Sequence, residues 1–177
     1  MENTSGDKIV LMGLPGSGKS TLGKHLSLNL EYPFYDLDEL IVEDIGCSIA
    51  QFFKETGEEQ FRLLESRILQ NTLLQEGSLV LSTGGGAPCF YNNINVINEY
   101  STSIYIDVPT HVLVKRLMNN GGGQRPMFYK LPEEKVINKI LSLKDARENF
   151  YNQAKIKLSG VDITTELILS ELRRFKN

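Results

Sequence analysis

The stretch Gly13-Leu14-Pro15-Gly16-Ser17-Gly18-Lys19-Ser20 constrains this chain more than any other. It fits the pattern G-x-x-x-x-G-K-[ST]. It lies between an apolar run, Lys8–Gly13, and a helical pattern, Lys19–Leu30, that carries Leu22, Leu26 and Leu30. The motif has chemical meaning only in that setting. Its glycines let backbone N–H groups wrap a phosphate, and the N-terminus of the following helix adds positive potential. Gly16, Ser17 and Gly18 then cradle phosphates, Lys19 reaches the β- and γ-phosphates, the Ser20 hydroxyl ligates Mg²⁺, and Thr21 completes the nucleotide-binding set. The loop alone does not separate a kinase from a GTPase switch or an ATP-driven motor.

A phosphate loop of this kind belongs to a parallel sheet, and the rest of the chain reads accordingly. Short apolar runs at Lys8–Gly13, Phe34–Asp38, Ser78–Thr83, Ser103–Val108 and Lys155–Ser159 read as strands. Val10-Leu11-Met12 and Leu79-Val80-Leu81 are continuous rather than alternating, as in strands buried on both faces. Helical patterns separate them at Lys19–Leu30, Glu58–Gln75, His111–Met118 and Glu133–Ala154, with a last helix at Thr164–Phe175. Alternation of strand and helix predicts an α/β fold with one five-stranded parallel sheet and helices on both faces. Ligands in such sheets bind beyond the carboxyl ends of the strands. The chain of 177 residues suits a single domain. Its net charge of −3 speaks against a general nucleic-acid binder. No apolar stretch approaches a membrane span, and the polar segment Met1–Lys8 has no signal-peptide core, so a cytoplasmic enzyme is expected, as a monomer. Cys47 and Cys89 stand alone and read as buried thiols. His25 and His111 suggest no site.

The second strand ends in Phe34-Tyr35-Asp36-Leu37-Asp38. In an extended strand, residues i and i+2 face the same side, so both acids can look into the cleft. One can serve Mg²⁺ through a water, and the other can take a bond or a proton from a substrate hydroxyl. The alternative is that Asp38 caps a helix over Glu39–Glu43. The third strand ends in Ser82-Thr83-Gly84-Gly85-Gly86, where a conventional phosphate-loop ATPase carries an acid. Bare backbone offers a small polar acceptor a floor to lie on. A tight turn before Pro88 is the plainer alternative.

Two arginines add an anion site. The stripe Val136, Ile140, Leu143, Arg147, Phe150, Ala154 keeps one helix face, and an arginine in it must find an anion or leave the face. Arg62, next to Phe61, either does the same or pairs with Glu58 or Glu65. A planar guanidinium suits a carboxylate because it binds in a bidentate way.

In order and approximate spacing, GLPGSGKST, the Asp-Leu-Asp pair, Phe61-Arg62 with Glu65, STGGGA, Gln124-Arg125-Pro126, and Arg147 followed by Tyr151 and Ala154 resemble the shikimate kinases, over roughly residues 8 to 157. The resemblance implies a three-layer P-loop kinase fold like that of nucleoside monophosphate kinases. It implies ATP-dependent phosphorylation of the shikimate 3-hydroxyl, in chorismate and aromatic amino-acid biosynthesis. It assigns Arg62, Arg147, Asp38 and Gly84, Gly85 and Gly86 to shikimate. It gives Ser20, with Asp36 through water, to Mg²⁺, and Lys19 and Asp38 to catalysis. It also makes Arg125 the arginine of a lid at about residues 119–131, closing over the ATP phosphates and stabilising charge on the transferring group as a catalytic residue, and residues 37–66 a substrate-binding helical region. The Gly-rich run Asn119–Gln124 suits a moving lid. Arg147-Glu148-Asn149-Phe150-Tyr151 lacks the proline usual in the family's Arg-x-Pro-Leu-Tyr, and Arg116 is a candidate for packing on adenine. A related kinase for gluconate or a nucleotide, and a non-catalytic nucleotide-binding module, stand as alternatives.

Overall fold

The computed structural model describes residues 6–119, 126–128 and 130–176. Five strands, β1 (Lys8–Met12), β2 (Phe34–Asp36), β3 (Leu79–Ser82), β4 (Thr102–Asp107) and β5 (Ile156–Ser159), form one sheet in the order β2-β3-β1-β4-β5. Every neighbouring pair is parallel. In the register, Val10 of β1 faces Leu81 of β3 on one side and Ser103 of β4 on the other. All five residues of β1 and all four of β3 are buried, which is why both read as unbroken apolar runs. Edge strand β5 alternates buried and exposed.

Parallel neighbours need crossovers, and helices supply them: α1 (Lys19–Leu30), α2 (Leu37–Ile45), α3 (Ile49–Leu74), α4 (Asn93–Tyr100), α5 (Thr110–Asn119), α6 (Glu133–Tyr151) and α7 (Thr165–Lys176). The chain fills positions on one side of β1 with β2 and β3, then crosses to the other side with β4 and β5. That reversal opens a crevice beyond the carboxyl end of β1, where the phosphate loop lies.

Five expectations need correction. The second strand stops at Asp36 rather than running through Asp38. Asp36 is itself the N-cap of α2, its side chain accepting the Asp38 N–H, so Asp38 sits in the first helical turn. α3 begins at Ile49, nine residues before Glu58, capped by Ser48, and is broken at Gly57 by a left-handed φ of 84°. α4 was not foreseen. Asn93-Ile94-Asn95-Val96-Ile97-Asn98 has weak helix propensity, and tertiary burial of Asn93, Ile94 and Ile97 overrides it. The stripe on α6 runs Val136, Ile140 to Tyr151 and ends there, because the bonds Asn152 N–H to Glu148 and Ala154 N–H to Tyr151 turn the chain into β5. Cys47 and Cys89 are free and half-buried rather than buried.

Candidate active site

Helix α1 starts without a side-chain cap. Gly18 holds the N-cap position at φ 93°, and no acidic residue occupies the first turn. Its leading N–H groups therefore stay available to an anion. Lys19 is buried and folds back over the loop, its Nζ donating to the carbonyls of Gly13 (3.0 Å) and Leu14 (3.1 Å) and to Ser17 Oγ (3.4 Å). Arg116 of α5 braces the loop from outside, donating to the Gly16 and Ser17 carbonyls at 3.3 and 3.4 Å.

The Asp36 carboxylate joins this loop to the second half of the site. One oxygen accepts the Ser20 hydroxyl at 2.6 Å and the other caps the Asp38 N–H at 3.0 Å. Ser82, at the end of β3, lies 3.3 Å from Ser20. Thr83 turns its hydroxyl away, onto the Leu11 carbonyl. Among the described residues no three His, Cys, Asp or Glu side chains group as metal ligands. A hydroxyl with one carboxylate behind it fits Mg²⁺, which keeps most of its waters and takes phosphate oxygens besides.

The glycine run has a spatial reason. None of Gly84, Gly85 and Gly86 has a left-handed φ. What each lacks is a β-carbon, and each missing β-carbon makes room for a charged side chain. A β-carbon on Gly84 would stand 2.9 Å from Asp38 Oδ1 and 3.2 Å from Glu65 Oε1. On Gly85 it would stand 2.9 Å from Arg147 Nη1, and on Gly86 it would stand 2.8 Å from both terminal nitrogens of Arg62. The same position on Gly85 is 3.5 Å from the Gly13 carbonyl, so the glycine floor adjoins the phosphate loop.

Around that floor the charges are interlocked. Arg62 pairs with Glu65 at 2.7 Å and with Glu58 at 3.4 Å, and its guanidinium lies 4.3 Å from the centre of the Phe90 ring. Only 12% of the Arg62 side chain is exposed, so this is a held arginine and not a solvated one. Burial pushes the Glu65 carboxyl above its ordinary value, with the Asp38 charge adding to the rise and Arg62 and Arg147 opposing it. Burial also pushes the Cys89 thiol up to about 11, which leaves it unreactive at neutral pH.

A shikimate kinase family model matches residues 15–175. A shikimate kinase of Azobacteroides pseudotrichonymphae is 38% identical over 168 residues, covering 93% of this chain and 96% of the relative. The chain belongs to the shikimate kinase family. Its structure superposes on that of the Bacteroides thetaiotaomicron shikimate kinase with a TM-score of 0.88 at 33% identity, covering 96% of this chain and 98% of that one. A shikimate kinase of Acinetobacter baumannii, solved in complex with shikimate, gives a TM-score of 0.83 at 25% identity, covering 98% of this chain and 94% of that one.

The structure of this shikimate kinase brings most of the expected site residues together. Gly16, Ser17, Gly18, Lys19, Ser20 and Asp36 meet at one end, and Asp38, Arg62, Gly84, Gly85, Gly86 and Arg147 meet at the other. Thr21 sits on the exposed side of α1. Gln124 and Arg125 lie outside the described residues. Within the stretch expected to form the lid, Pro126–Phe128 is a single 3-10 turn with Phe128 buried and the Met127 carbonyl held by Lys139 at 2.9 Å. In the sequence Glu65 stands out only as a companion to Arg62. Its signal is the i, i+3 spacing to Arg62 on a helix face whose neighbours, Phe61 and Leu69, are core. Phe90 carries no signal in the sequence, because only the turn after the glycines brings its ring onto Arg62.

Proposed function

We infer that this enzyme transfers the γ-phosphoryl group of ATP to the 3-hydroxyl of shikimate, giving shikimate 3-phosphate and ADP on the route to chorismate and the aromatic amino acids. One observation carries the reading. A bare-backbone floor ringed by Arg62, Arg147 and Asp38 adjoins the phosphate loop, so a hydroxy acid held by its carboxylate can present a hydroxyl to a bound nucleotide.

In this reading the phosphate loop and Lys19 hold the ATP phosphates. Arg62 and Arg147 take the substrate carboxylate, a match of planar fork to planar anion. Asp38 accepts the 3-hydroxyl proton or orients that hydroxyl as its oxygen bonds to the γ-phosphorus. The bond from that phosphorus to the β–γ bridging oxygen breaks, and ADP leaves. Ser20, with Asp36 behind it, would hold Mg²⁺, which neutralises charge on the phosphates. Arg125 is the arginine we assign to a lid over the phosphates, within residues 119–131, and residues 37–66 to the acceptor-binding region. Catalysis is chiefly positioning and charge neutralisation. We also propose that the enzyme works as a cytoplasmic monomer, for which sedimentation should return one species of monomer mass.

The test is the product. Phosphorus–proton correlation NMR of the reaction with Mg²⁺, ATP and shikimate should place a phosphomonoester on the carbon bearing the 3-hydroxyl. A phosphate on another ring carbon, or none, contradicts the assignment.

A further inference from the structure

One buried hydroxyl touches the glycine floor from below. Tyr151, the last residue of α6, is fully buried, and its Oη donates to the Gly85 carbonyl. The Tyr151 ring packs on the equally buried Tyr105 ring of β4, with centroids 5.0 Å apart. The Tyr105 hydroxyl in turn donates to Asp107 at 3.1 Å, and Asp107 is gripped by Lys157 and Lys144. Tyr151 therefore cannot swing away from Gly85 without disturbing the packed end of the sheet.

This bond fixes the direction of a backbone donor. In a trans peptide the C=O and the following N–H point opposite ways, and among the described residues no peptide is cis. With the Gly85 carbonyl held by Tyr151, the Gly86 N–H points away from that hydroxyl, and the terminal nitrogens of Arg62 lie 2.8 Å from where a Gly86 β-carbon would stand. The neighbouring carbonyls are also tied inside the protein, Gly84 by the Ala87 N–H at 3.1 Å and Gly86 by the Cys89 N–H at 2.9 Å. None of the hydrogen bonds among the described residues uses the Gly86 N–H. Tyr151 also stands one helical turn beyond Arg147, whose guanidinium overlies Gly85. One helix end thus sets both the arginine above the floor and the peptide within it.

We propose that Tyr151 is a positioning residue for the acceptor: by holding the Gly85 carbonyl it aims the Gly86 N–H into the acceptor pocket, where that N–H donates to the carboxylate of the substrate. The proposal rests on the reading of the floor as the shikimate site. It adds a backbone donor and the side chain that orients it.

The test compares Tyr151→Phe with Tyr105→Phe in the full-length enzyme. Each removes one hydroxyl from a buried ring and keeps the ring. Tyr151→Phe should raise the KM for shikimate roughly tenfold, the equivalent of one lost hydrogen bond to a charged group, and leave the KM for ATP unchanged. Tyr105→Phe should leave both unchanged. An unaltered shikimate KM in Tyr151→Phe, or an equal rise in both variants, overturns the proposal. A second measurement needs no variant. On saturating the wild type with shikimate, the Gly86 amide proton resonance should move downfield as it gains a carboxylate acceptor, and an unmoved resonance overturns the proposal. Failure of the wild type to turn over shikimate at all would instead sink the functional reading beneath it.

Discussion

A β-carbon on Gly86 would stand 2.8 Å from both terminal nitrogens of Arg62, so the absence of a side chain at one position sets where the charge of the other can rest. The same holds for Gly85 with Arg147 and for Gly84 with Asp38. These glycines are required for space and not for a left-handed backbone. Alanine at each should therefore fold, with stability within about 1 kcal/mol of wild type. It should displace one charged tip, and kcat/KM for shikimate should fall by roughly 100-fold with the KM for ATP unchanged. Steady-state kinetics with each substrate varied in turn, beside urea unfolding, checks all three.

Asp36 has two duties that substitution can separate. Asn at an N-cap serves nearly as well as Asp, so Asp36→Asn should unfold at close to the wild-type urea midpoint. It removes the charge behind the Ser20 hydroxyl, so the Mg²⁺ concentration for half-maximal activity should rise about tenfold. Asp36→Ala should show the same Mg²⁺ shift and lose about 1 kcal/mol of stability besides.

Asp38 carries the step nearest the chemistry in this account. Asp38→Asn keeps the shape and removes the charge, and kcat should drop by a factor on the order of 100 or more. ATP binding, followed by equilibrium titration, should be unchanged. Full activity in this variant would remove Asp38 from its role.

Glu65 makes stability depend on pH in a stated direction. Burial raises its folded value above the ordinary 4.5, so folding takes up a proton there. Its contribution is full below 4.5 and is lost as pH climbs through the higher folded value. Glu65→Gln has no such titration. The stability difference, wild type minus variant, should shrink between acid and neutral pH in urea unfolding series. A difference that grows with pH would mean that the arginines, and not burial, govern this carboxyl.

The sheet was legible because β1 and β3 are buried on both faces and leave unbroken apolar runs, and because the phosphate motif needs a strand before it and a helix after it. Asp38 was misplaced because two acids separated by one residue look alike in a strand and across a strand-to-helix junction. Only the cap formed by Asp36 on the Asp38 N–H distinguishes them. α4 was invisible because its asparagines earn their helix from burial, with Asn93 bridging Ser66 and the Ala87 carbonyl. In the site, Arg62 and Arg147 could be found as charges on apolar faces. The pairing of each arginine with one particular glycine could not, since it depends on where α3 and α6 dock over the turn after β3.

The most direct test is ADP release from the purified enzyme with Mg²⁺ and ATP, measured with shikimate, gluconate, AMP or CMP and with no acceptor. Strong stimulation by shikimate alone is expected. Stimulation by gluconate or a nucleotide instead, or ATP binding without stimulation by any acceptor, would contradict it.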